Sequence, residues 1–142
     1  MKSLIFLCVF GLSLVVSADP LNCYEAASRD RVIKWSDDLK VELCRKASST
    51  VPYECFAHAY TNNSDFKISS TMAVLLCQGA TDARAPLECF EEAIQRFPGM
   101  RYILAAKFCA ATTSAEKAMS CFVEAQKKFA LTPELAADLC AQ

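Results

Sequence analysis

Glycine is scarce in this 142-residue chain: there are three, and only Gly79 and Gly99 lie beyond the first eighteen residues. Tight β-hairpin turns lean on glycine for positive φ, so two glycines leave little means of building a sheet. A sustained alternation of apolar and polar residues is missing too. The fold class expected is therefore all-α. A single histidine, His58, and the lack of any Cys-x-x-Cys pair leave no ligand set for a metal, and nothing else in the chain asks for a cofactor. There is no phosphate-cradling glycine loop, no nucleophile elbow and no zinc-protease helix. Nor is there a basic block: beyond residue 18 the chain carries 14 basic against 16 acidic side chains, a balance that argues against nucleic acid and anionic membrane as partners.

Long apolar runs are absent after the one that opens the chain. Lys2, the apolar run 4–16 and the small residues Ser17 and Ala18 ahead of Asp19-Pro20 have the pattern of a secretory signal peptide covering 1–18. Such a run is short of the roughly 20 residues that span a bilayer, so stable membrane insertion is not expected. Cys8 lies inside it, preceded by Leu7 where a bacterial lipoprotein site would have Gly or Ala, and is expected to leave with the leader. Nine cysteines then become eight, an even number in a short exported chain. That count points to disulfides in an oxidising compartment, periplasmic or extracellular. Asn62-Asn63-Ser64 is a glycosylation sequon, meaningful in a eukaryotic source.

What is present in abundance is repetition. Pro-x-x-Cys-aromatic occurs at Pro20 with Cys23-Tyr24, at Pro52 with Cys55-Phe56 and at Pro86 with Cys89-Phe90, while Cys121-Phe122 has Ala118 in the proline place. Alanine follows four residues after each of these cysteines, at Ala27, Ala59, Ala93 and Ala125. Each unit closes on apolar residues five before and one before a second cysteine: Leu39 and Leu43 with Cys44, Met72 and Leu76 with Cys77, Leu104 and Phe108 with Cys109, Leu135 and Leu139 with Cys140. The first cysteines are 32, 34 and 32 residues apart, the period of a stacked repeat array. One domain over 19–142 is expected, in units of approximately 19–49, 50–82, 83–113 and 114–142.

Each unit holds two helices joined by a turn, giving eight helices of about 9 to 14 residues, a length that depends on packing against neighbours. Asp19 with Pro20, Ser36, Thr113 with Glu116 in a capping box, and Thr132 with Pro133 mark helix starts. Asp37 and Asp38 suit the first turn of the second helix, and Arg45 and Lys46 its last.

The midpoint between the two cysteines of each unit falls in that unit's own turn, so an antiparallel hairpin sets them opposite each other. The expected bridges are Cys23–Cys44, Cys55–Cys77, Cys89–Cys109 and Cys121–Cys140. A rival scheme joins consecutive units through Cys44 with Cys55, Cys77 with Cys89 and Cys109 with Cys121. It strands Cys23 and Cys140 at opposite ends of the array.

The wording over residues 76–93, Leu-Cys-x-Gly-Ala followed by Ala-Pro-x-x-Cys-Phe-x-x-x-Ala, resembles cysteine-bearing two-helix repeats of exported bacterial proteins. In unit length it is also similar to tetratricopeptide and Sel1-type repeats, although the tetratricopeptide Trp-x-x-Leu-Gly-x-x-Tyr pattern is missing. The resemblance implies a binding scaffold and transfers no catalytic residue, while the repeat period itself predicts four hairpins stacked as a short solenoid.

His58 stands three residues after Cys55, a spacing that in a reducing setting would pair a thiol with a base. The other units put Ala26, Glu92 and Glu124 at the His58 position, so catalysis is not expected. Tyr24, Phe56, Phe90 and Phe122 recur at one position and are read as core. Trp35, Tyr60 and Phe66 do not recur, and they are the candidate partner-binding residues. The function expected is an exported scaffold that binds a protein or peptide, since stacked hairpins form an extended surface without catalytic groups. The alternative is a small disulfide-linked helical carrier of a lipid or other apolar ligand, motivated by the apolar content.

Overall fold

The computed structural model describes residues 20–61 and 68–141, and helices make up most of that length. In chain order they are α1 (Pro20–Arg29), α2 (Asp37–Cys44), α3 (Val51–Thr61), α4 (Ser70–Cys77), α5 (Ala85–Arg96), α6 (Tyr102–Cys109), α7 (Ala115–Phe129) and α8 (Pro133–Cys140). Among the described residues there is no strand. The leader 1–18, the Asp19 cap, Phe66 and the sequon at Asn62 lie outside the described residues.

Hydroxyl side chains start half of these helices. Ser36, Ser69, Ser114 and Thr132 each accept a hydrogen bond from the backbone N–H three residues on, at 3.3 to 3.4 Å. Pro133 then sits in the first turn of α8, where its missing N–H leaves no bond unmade. Asp82 does a similar service ahead of α5: its Oδ1 accepts from Arg84 N–H at 2.7 Å and from Ala85 N–H at 2.8 Å.

Two local expectations are corrected. The α7 cap is Ser114 and not Thr113, because the buried Thr112 hydroxyl donates to Ser114 O and accepts from Ser114 N–H, which sets Ser114 at the helix entrance. And α2 ends at Cys44, so Arg45 and Lys46 follow the helix instead of filling its last turn. There the chain tightens, with Ala47 N–H bonded to Cys44 O at 3.0 Å. The same turn follows Cys77 and Cys109, and in each the small residue three positions after the cysteine, Ala47, Ala80 or Thr112, is buried.

Helices pair as α1 with α2, α3 with α4, α5 with α6 and α7 with α8, and each also packs on the like-placed helix of the next pair. Among the described helices, none touches a hairpin beyond its sequence neighbours. This contact pattern is compatible with a short solenoid. Ala27, Ala59, Ala93 and Ala125, with Ala73, Ala105 and Ala136, are all buried, so missing side-chain bulk lets helix backbones approach. Disulfides join Cys23–Cys44, Cys55–Cys77, Cys89–Cys109 and Cys121–Cys140, with Cα atoms 5.6 to 5.9 Å apart, one bridge to each hairpin. The rival scheme between units does not occur.

Candidate functional site

The seam between the third and fourth hairpins opens into a notch of about 300 Å³. Its making begins with the Pro98-Gly99 break: Gly99 takes a left-handed φ of 90°, and Met100 N–H closes the turn onto Phe97 O at 3.0 Å. That turn leaves Phe97 and Met100 on the notch wall beside Leu104 from α6. From the other hairpin comes Phe122, whose ring meets Phe97 edge-on at 5.2 Å and stacks on Phe108 at 4.7 Å. Aromatic and aliphatic carbon makes the floor. The rim is polar: Arg101 pairs with Glu134 across the seam at 3.1 Å, and Gln126 stands beside them. An apolar side chain entering here would lose its water chiefly against the half-buried Phe97 and Met100, with the buried Leu104 and Phe122 behind them, while its backbone could exchange hydrogen bonds with the rim.

A second surface lies near the other end. Trp35 stacks on Phe56 at 4.1 Å, and Tyr60 lies over Phe56 at 5.8 Å, so two of the candidate residues are brought together by a core ring. Trp35 is half-buried, and its Nε1 has no acceptor among the described residues. Its ring packs against the core, so it has structural duty beyond any contact with a partner. Tyr60 is exposed. Neither belongs to the notch, and Phe66 lies outside the described residues.

Beside this surface a polar link ties the first hairpin to the second. Tyr53 Oη–H donates to Asp30 Oδ2 at 3.0 Å, while Asp30 Oδ1 accepts from the N–H groups of Val32 and Ile33. Burial pushes the Asp30 carboxyl up, but these three hydrogen bonds together hold it below the usual carboxylate value. Burial also pushes the Tyr53 hydroxyl up, helped by its bond to Asp30 and by that negative charge.

Cys55 is bridged to Cys77, so it offers no thiolate for His58 to activate. His58 instead lines a shallow cavity with Arg84, Leu87, Glu88 and Glu91. Among the described residues no group of three or more His, Cys, Asp or Glu side chains converges as a metal site. No helix among them is long and apolar enough to cross a membrane.

Reading the sequence alone singles out none of the notch's rim residues. One sign of it was there: eight residues after the first cysteine the units carry Arg31, Asn63, Phe97 and Phe129, and Phe97 is an aromatic at a position that is polar in the first two units. No protein-family model, curated protein or solved structure matches this chain.

Proposed function

We propose that this is an exported helical-repeat scaffold that holds a protein or peptide partner without turning it over, the partner placing an apolar side chain in the Phe97–Phe122 notch. The observation that carries the reading is the notch itself, with aromatic walls, a charged and amide rim, and a seat between two separately bridged hairpins. At about 300 Å³ it stands at the bottom of the range of roughly 300 to 1,000 Å³ typical of small-molecule sites, and it suits one side chain. Four disulfides fit an oxidising compartment, which supports export. The carrier alternative gains no such support. Phe56, Phe90 and Phe108 are almost wholly buried in the core, where a carrier would turn such rings toward its ligand.

The test is peptide selection from a displayed random library on the disulfide-intact protein, followed by NMR mapping of a selected peptide. Expected are peptides with one shared apolar anchor, shifts centred on Phe97, Met100 and Leu104, and loss of binding to Met100→Glu with the helical dichroism intact. Shifts centred on Tyr60 would move the site to the Trp35 surface. A lipid co-purifying at one equivalent, with no peptide selected, would replace the reading by the carrier.

A further inference from the structure

The repeat has a direction, so each hairpin turns one face to the hairpin before it and another to the hairpin after it. The seam between the third and fourth hairpins shows which positions make each face. Forward go Phe97, eight residues after a first cysteine, and Phe108, one before a second cysteine, both against Phe122. Leu104, five before that second cysteine, lines the same seam. Backward goes the receiving ring Phe122, which follows a first cysteine; Ala118 and Met119 on the same helix and Ala137 on α8 are buried as well.

In the last hairpin the forward positions are Phe129, Leu135 and Leu139, which are 60%, 55% and 60% exposed. The residues in the Leu139 place of the other hairpins, Leu43, Leu76 and Phe108, are fully buried. In the first hairpin the backward positions are Pro20, Leu21, Tyr24 and Val41. Val41 is 50% exposed, whereas its counterparts Val74, Ala106 and Ala137 are buried. Together these residues line an apolar hollow of about 290 Å³ edged by Arg45. Three apolar knobs thus stand at one end and a hollow with an aromatic wall at the other.

We propose that a second copy of this chain covers each end: Phe129, Leu135 and Leu139 of one molecule dock on Pro20, Tyr24 and Val41 of the next, head to tail. The contact repeats between molecules the seam that already joins the third and fourth hairpins within one. Charge supports the same register. Inside the chain Glu42, two before a second cysteine, accepts a hydrogen bond at 3.3 Å from Gln78, one after the second cysteine of the following hairpin. The same step from the last hairpin to the first of another copy sets Asp138 opposite Arg45, whose guanidinium also pairs with Glu42 of its own chain at 2.7 Å, so the acid would join an existing ion pair. Such a contact is heterologous, so it leaves an open face at each end and grows into short filaments or closed rings. It does not depend on the peptide-binding reading, since the notch lies at an internal seam.

The experiment is sedimentation velocity on the disulfide-intact protein up to about 1 mM, using wild type, Val41→Glu and Leu139→Glu, alone and mixed. The wild type should grow in mass with concentration. Each variant alone should stay monomeric, with association weakened roughly a hundredfold by a charge at an apolar contact. An equimolar mixture of the two should form dimers and stop there, because one intact knob face meets one intact hollow. This mixture also guards against misfolding, since a misfolded variant would restore nothing. Three results would overturn the proposal: a wild type monomeric at every concentration, as when another segment covers the Val41 hollow; Val41→Glu self-associating like wild type, which means knob faces pair with each other; or a mixture that stays monomeric.

Discussion

Replacing Cys89 and Cys109 together by alanine opens the bridge of the third hairpin and introduces no side chain large enough to clash. The bridge closes 20 residues of chain, and the chain-entropy relation gives that closure a value of about 3 kcal/mol. Both cysteines are fully buried, so removing their sulfurs adds roughly 1 to 2 kcal/mol. A total of about 4 to 5 kcal/mol corresponds to a fall in Tm of about 15 °C for a domain of this size. The four bridges span 19 to 22 residues, a spread that changes the closure contribution by only about 0.1 kcal/mol. Loop closure therefore predicts four double-alanine variants of similar stability, with the Cys121–Cys140 pair mildest because Cys121 is half-buried. Equilibrium urea unfolding of the four variants beside wild type measures this. A third-hairpin variant within about 1 kcal/mol of wild type would refute the reasoning, since closure alone exceeds that. So would losses that climb steeply from the end hairpins to the middle ones, which would place the stability in packing between hairpins.

Ser114→Ala should lower stability by about 1 kcal/mol while Thr113→Ala changes it by only a few tenths, because the Lys117 N–H is capped by the first hydroxyl alone; thermal unfolding separates the two. The Asp30–Tyr53 link sets a pH window. The Asp30 carboxyl lies below its ordinary 3.8 in the fold, so its contribution is present above about pH 4 and drains away as acid protonates it; Tyr53 lies above 10.0, so its contribution holds below about pH 10 and is lost as the hydroxyl ionises. The Tm gap between wild type and Asp30→Asn should be widest near neutrality and close toward pH 2.

Much of the architecture was open to reading because it rests on local chemistry repeated four times. A period near 32 residues, proline ahead of the first cysteine and caps such as Ser36 and Thr132 depend only on near neighbours, and the helices begin where those residues stand. The bridges followed from hairpin geometry, which puts equidistant residues opposite each other. In the sequence Thr113 resembles a cap as much as Ser114 does, and only the buried Thr112 hydroxyl, bonded to Ser114, separates the two. Trp35 reads in the sequence as a partner-binding candidate without core duty because the ring it stacks on, Phe56, is 21 residues away, beyond any pattern a single turn can carry. The notch was hidden for the same reason: Phe97 and Phe122 meet only when two hairpins stack. Leu43 and Leu139 occupy one repeated position, yet one is buried and the other exposed, because among the described residues a hairpin packs over the first and none over the second.

Each bridge closes within a single hairpin, and this gives the chain a particular kind of independence during its manufacture and over its history. A growing chain that enters an oxidising compartment can join Cys23 to Cys44 before the second hairpin has been made, and so on in order, since no bridge waits for a distant partner. At any moment at most one of the eight bridged cysteines need await its mate. Over longer times, gain or loss of one whole hairpin leaves every remaining cysteine with its mate. Under a scheme that bridged neighbouring hairpins, the same change would have forced partners to be exchanged. The number of hairpins in this design can therefore change by duplication or deletion without a compensating change in its cysteines.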